Sequence, residues 1–284
     1  MIPRRLRTAD GVTLSLYRAR AYRDRRPAVL LVHGAFSNHR LWTDASTQGG
    51  GLAHFLTERG LDVWLADLRH HGESDREPAD ARWRFEDWIL HDAAVFVTRV
   101  RDETDGAPLI WLGHSAGGAI GLCWLARAAV PGSVAGIVTL GTPGPHRLGP
   151  VRVSLAAVTI ALSRAVGRFP ARLFRMGSED EAAGILADWM AWNVRGSWVG
   201  ADGFDYLAAL TRIETPFLAV AGEGDRFFAP PPACDQLVRV AGSSRKELLV
   251  CAGLSHRGLA RDARARERCW PRIAQWIEQT VEGQ

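Results

Sequence analysis

Pro108-Leu109-Ile110-Trp111-Leu112-Gly113-His114-Ser115-Ala116-Gly117-Gly118 is the stretch from which the rest of the chain can be read. Its apolar run has the length of a buried strand and stops at Gly113. An Ala-rich run with apolar residues at helical spacing follows, from 119 to 126. Between the two lies Gly-x-Ser-x-Gly, which in a strand–turn–helix context forms a nucleophile elbow. The five letters alone are a weak signal; their setting strengthens them. Gly113 and Gly117 remove the Cβ atoms that would crowd so tight a turn. Ser115 then projects alone at a helix N-terminus, where amide donors and the helix dipole favour developing negative charge.

Outward from the elbow, strands alternate with helices. Residues 6–21 read as a hairpin turning at Asp10-Gly11. Residues 28–32 form a continuous apolar strand, as in a parallel sheet covered on both faces. A helix over 51–59 closes at Gly60, and a strand over 61–66 ends at Asp67. A helix over 85–105 carries Trp88, Ile89, Ala93, Phe96 and Val100 on one stripe. Strands follow at 134–140, 216–221 and 247–250, with a helix near 232–240 and a terminal helix over 263–281. The expected fold is α/β, a doubly wound, mostly parallel sheet whose sites lie at the carboxyl ends of its strands. His33-Gly34, Asp67 and Ser115 all sit at such ends. From 145 to 205 the alternation breaks down. That segment reads as an inserted helical cap, with one helix opened by Ser178 as N-cap and Glu181 three residues on. The core is then 1–144 and 206–284.

Composition excludes several classes. The chain has 284 residues, 47% hydrophobic and 23% charged, which suits a soluble globular protein. The basic N-terminus leads into no apolar h-region, and the apolar run 151–162 is interrupted and too short to span a bilayer. A cytoplasmic location without an integral membrane segment is expected. Cys123, Cys234, Cys251 and Cys269 are scattered and read as reduced thiols. Net charge is only +4, and Lys246 is the sole lysine. The arginines near the N-terminus lack interleaved aromatics, so a solvated face is expected and no nucleic acid. Oligomeric state leaves no mark in the sequence.

The pieces Leu31-Val32-His33-Gly34, Asp67-Leu68-Arg69-His70-His71-Gly72-Glu73-Ser74, Gly113-His114-Ser115-Ala116-Gly117, Gly222-Glu223-Gly224-Asp225 and Gly253-Leu254-Ser255-His256 together resemble the α/β-hydrolase superfamily. The resemblance covers nearly all of the chain except the cap. His70 departs from it, standing where such proteins usually have Gly in Asp-x-Arg-Gly-x-Gly-x-Ser. Gly60-Leu61-Asp62-Val63-Trp64 is weakly similar to the acid-lipase and monoacylglycerol-lipase branches. The resemblance implies a serine hydrolase, and Ser115 argues against the dehalogenase and epoxide-hydrolase branches, which use Asp there.

The residues supply the same parts. A serine hydroxyl needs a base. Of nine histidines only His256 follows the last strand, while His33 and His114 lie inside motifs and read as loop buttresses; His146 is the rival. Asp225 completes the Ser, Asp, His order, with Glu223 its competitor. The backbone amides of Ala35 and Ala116 are the expected oxyanion donors. Phe36, His114, Trp189 and Trp192 are the expected substrate contacts, and the aromatic cap (with Phe169, Phe174, Met190, Trp198 and Tyr206) points to a hydrophobic acyl or alcohol group. His70 and His71 with Glu73 and Asp75 fit no zinc spacing, so neither metal nor cofactor is expected. A small ester is the expected substrate. The same triad could serve a peptidase, lactonase, C–C hydrolase or acyltransferase, and a non-catalytic binding protein is the remote alternative.

Overall fold

The computed structural model describes residues 1–43, 50–78, 82–145 and 149–283. Among these residues ten strands occur in order: β1 (Arg4–Arg7), β2 (Thr13–Arg18), β3 (Ala28–Val32), β4 (Asp62–Asp67), β5 (Leu109–His114), β6 (Gly136–Leu140), β7 (Arg168–Phe169), β8 (Glu181–Ala182), β9 (Phe217–Gly222) and β10 (Lys246–Cys251). Eight of them make one sheet in the order β1-β2-β4-β3-β5-β6-β9-β10. The β1–β2 hairpin is antiparallel and joins β4 antiparallel; every other pairing is parallel.

Side chains alternate between the faces of a strand, and here they divide two cores. Leu30, Trp64, Trp111, Ile137 and Phe217 face one side, packed with the helical stretch 85–103 and helix Ala116–Arg127. Val29, Leu31, Val63, Ile110 and Leu218 face the other, against helices Leu52–Glu58 and Trp270–Glu282. Every residue of β3, β4, β5, β6 and β9 is buried, which is why those strands read as unbroken apolar runs.

Three expectations need correction. The helix placed after Ser178 begins instead at Ala183 and runs to Arg195. The amides of Ser178 and Glu179 donate to the Phe36 carbonyl at 2.9 and 3.1 Å, and Glu181–Ala182 pairs as β8 with β7. Those long-range bonds outcompete a local capping box. The terminal helix divides into Ala263–Arg268 and Trp270–Glu282, because Pro271 has no N–H to donate to the Glu267 carbonyl and is tolerated only in the first turn of a helix. At the break Cys269 is disulfide-bonded to Cys251, so two of the four cysteines are not reduced thiols; Cys123 and Cys234 are free and buried. The sequence had no signal for this pair, since only the packing of the terminal helix beside the end of β10 brings the two together.

Between β6 and β9 the chain leaves the sheet for the helices Pro150–Val166 and Ala183–Arg195 and the β7–β8 ribbon. Among the described residues no helix is long and apolar enough to cross a membrane.

Candidate active site

β5 ends at His114 and the next helix starts at Ala116, which leaves Ser115 alone in the turn with φ 53° and ψ −121°. A non-glycine residue there is strained, and hydrogen bonds hold it. The Ser115 amide donates to Leu140 O at 2.8 Å, while its carbonyl accepts from Gly118 N at 3.1 Å and Thr142 Oγ1 at 2.8 Å. A Cβ on Gly113 would lie 2.3 Å from the Gly117 carbonyl carbon, so the two glycines are what let the strand and helix close on the serine. The loop after β3 approaches from the other side: a Cβ on Gly34 would sit 2.8 Å from the Ser115 Cβ. Ala35 and Ser115 consequently share one cavity wall.

His256 lies on the loop after β10 and Asp225 on the loop after β9, neighbouring strands paired in parallel. His256 Nδ1 is 2.6 Å from Asp225 Oδ2. The carboxylate also accepts the Phe228 amide at 3.0 Å and the Ala229 amide at 3.1 Å. Burial works to raise the Asp225 carboxyl, but the His256 ring and those two amides outweigh it and hold the group below the usual carboxylate range. Glu223 instead accepts the Gly253 amide at 3.0 Å, a turn contact. His146 lies outside the described residues.

Four other histidines, His33, His70, His71 and His114, lie in or beside the loops of the site. His114 Nε2 donates to the His256 carbonyl at 3.0 Å, and its ring stands 4.7 Å from the His256 ring. Burial, then the nearby His256, depress His114 to about 3, so it is neutral. His33 accepts the Leu68 amide at Nε2 and donates from Nδ1 to Gly34 O; burial and then His71 lower it to about 3. His70 takes φ 73°, the left-handed conformation that glycine favours, so the departure from the family pattern keeps a glycine-like backbone. Asp75 O accepts its amide at 2.8 Å, and its Nδ1 accepts that of Glu77. His71 Nε2 faces Glu181 Oε2 at 3.3 Å, both side chains fully buried. Among the described residues no three His, Cys, Asp or Glu side chains converge as a metal site.

Ser115 and His256 open into a cavity of about 500 Å³. Its walls are apolar: Leu155, Val158 and Leu162 from one inserted helix, Leu186, Trp189 and Met190 from the other. Phe36 and His114 also line it. Trp192 does not: its ring is buried against Phe85, Trp198 and Tyr206, and its Nε1 donates to Val199 O at 2.8 Å. Trp198 and Tyr206 join the same packing, so half of the aromatic segment anchors the insertion to the core while the other half faces the cavity. Among the residues unforeseen in sequence, Phe227, Phe228 and Arg257 reach the cavity beside the catalytic loops. Their signal was adjacency, since each stands within three residues of Asp225 or His256.

Residues 27–175 match the family described as alpha/beta hydrolase fold, and the chain belongs to it. Relatives of known sequence match in part. A Saccharomyces cerevisiae protein described as a probable alcohol acetyltransferase is 32% identical over 98 residues, covering 34% of this chain and 25% of the relative. A Schizosaccharomyces pombe protein described as a probable lipase is 30% identical over 122 residues, 39% of this chain and 28% of the relative. The chain thus matches about a quarter of each relative's length. Among solved structures, a soluble variant of Saccharomyces cerevisiae monoglyceride lipase superposes with TM-score 0.69 at 18% identity, over 99% of this chain and 97% of that one. A Thermogutta terrifontis esterase gives 0.65 at 17%, over 99% and 100%.

Proposed function

We propose that the protein is a serine hydrolase that cleaves carboxylic esters with a hydrophobic acyl or alcohol group through an acyl-enzyme. The observation that carries this reading is the 2.6 Å contact of His256 with Asp225, at the cavity onto which Ser115 opens. Ser115 Oγ attacks the ester carbonyl carbon while His256 Nε2 takes its proton. Asp225 holds the imidazole by Nδ1 and stabilises its cation. The amides of Ala35 and Ala116 receive the oxyanion. His256 then returns the proton to the departing alcohol, and water repeats the cycle to release the acid. Residues 145–205 act as a cap over the core formed by 1–144 and 206–284, and their apolar walls suit a hydrophobic substituent. No metal or cofactor takes part in these steps.

Rates on p-nitrophenyl esters from two to sixteen carbons test the reading, together with fluorophosphonate labelling. Ser115→Ala is expected to abolish labelling and lower kcat about a millionfold, on the precedent of other triads. Near-normal ester turnover by that variant would overturn the assignment. The local match to a probable alcohol acetyltransferase supports a second reading, transfer of the acyl group to an alcohol in place of water. Added short alcohols would then divert product from acid to ester.

A further inference from the structure

Among the described residues, Arg257 carries the one permanent charge lining a mostly apolar cavity. The cavity wall contains, among the described residues, no Asp or Glu, and its two histidines are His114, held neutral, and His256 itself. Among the described residues no carboxylate lies within ion-pair distance of the Arg257 guanidinium. Asp225, the carboxylate at this site, is engaged by His256 and two amides. Arg257 is exposed, and its partial burial and the positive charge of Arg261 both work against the cation.

The position of the charge says which part of a substrate it meets. His256 must stand beside the departing alcohol oxygen in order to protonate it, and Arg257 is the next residue. The long apolar walls lie on the inserted helices. We infer that Arg257 recognises an oxyanion group, phosphate or carboxylate, on the alcohol half of an ester whose acyl half is apolar. A planar guanidinium donates two parallel hydrogen bonds to either group. This rests on the ester reading above, and its test separates the two.

Two measurements decide it. First, binding is read without turnover, from tryptophan fluorescence of Ser115→Ala titrated with n-octyl phosphate, n-nonanoate and n-octanol. Both anions should bind about tenfold more tightly than the alcohol, and Arg257→Gln in the same background should remove that advantage. Arg257→Lys should retain part of it, and added salt should shrink it. Second, the kcat/KM ratio of 1-octanoylglycerol 3-phosphate to 1-octanoylglycerol should exceed about ten in the parent and fall toward one in Arg257→Gln. Replacing the phosphate by a carboxylate of matched length tells which oxyanion is preferred. An advantage for anions that survives Arg257→Gln, or no advantage in the parent, overturns the proposal. Arg257-dependent anion binding with neither ester cleaved keeps the anion site and sinks only the ester reading.

Discussion

The 2.6 Å contact between His256 Nδ1 and Asp225 has a chemical consequence that a hydrogen bond to neutral Asn would not reproduce. A carboxylate fixes the proton on Nδ1 and leaves Nε2 free to act as base, whereas an amide can present its NH₂ and select the wrong tautomer. Asp225→Asn should therefore lower kcat by about ten-thousandfold with the fold intact, read from ester kinetics alongside circular dichroism. A decrease of less than about tenfold would remove Asp225 from the mechanism. His33 and His114 set a different test. Both stay neutral in the fold, with values pushed down to about 3, while an unfolded histidine binds its proton near 6.5. The unfolded chain then holds more protons, so stability falls as pH drops below about 6.5, by about 2 kcal/mol per site at pH 5. His71 works in the opposite sense. Burial lowers it but Glu181 more than compensates, so its raised value adds stability that is complete below about 6.5 and is lost as pH rises through the folded value. Urea unfolding at pH 7 and pH 5 should show His33→Asn losing about 2 kcal/mol less on acidification than the parent. Identical losses would mean that His33 is not held neutral.

At the scale of elements, the insertion is tied to the loop that carries Ala35. Phe36 has φ 64°, an unfavourable conformation for an aromatic residue, and its carbonyl is held by the amides of Ser178 and Glu179. Glu179 adds a 2.6 Å bond from Asn38 Nδ2, and Arg76 reaches its other oxygen at 3.1 Å. Gly177 makes this approach possible, since a Cβ there would come within 2.0 Å of Phe36 O, and that atom is backbone. Gly177→Ala should push the two loops apart, shift the Ala35 amide and reduce kcat about tenfold or more with little change in Tm, because the proposed oxyanion site needs sub-ångström placement. Unchanged kcat would show that the Phe36 carbonyl contacts do not position that amide.

For the molecule as a whole, the Cys251–Cys269 disulfide joins the strand that leads to His256 with the terminal helix, across a sequence separation of 18. Loop-closure entropy for that length corresponds to about 3 kcal/mol, so Cys269→Ser should lose about that much in urea unfolding under non-reducing conditions. Addition of a reductant should narrow the gap between variant and parent. Disulfides persist in oxidising compartments, whereas the cytoplasmic location expected from the sequence favours reduced thiols. The alternation of strands and helices, the order of Ser115, Asp225 and His256, and both core faces were legible in the chain, because they depend on side-chain period and on turns that only glycine allows. Other features were not. The Ser178 capping box lost to hydrogen bonds from Phe36, Trp192 turned into the core while Trp189 faced the cavity, and Arg257 gained its setting from walls more than sixty residues away in sequence. Periodicity and turn chemistry are local and can be read along the chain. Which face of an inserted helix meets the core, which two cysteines meet, and whether an arginine finds a carboxylate depend on contacts between distant segments, and those exist only once the sheet has brought the segments together.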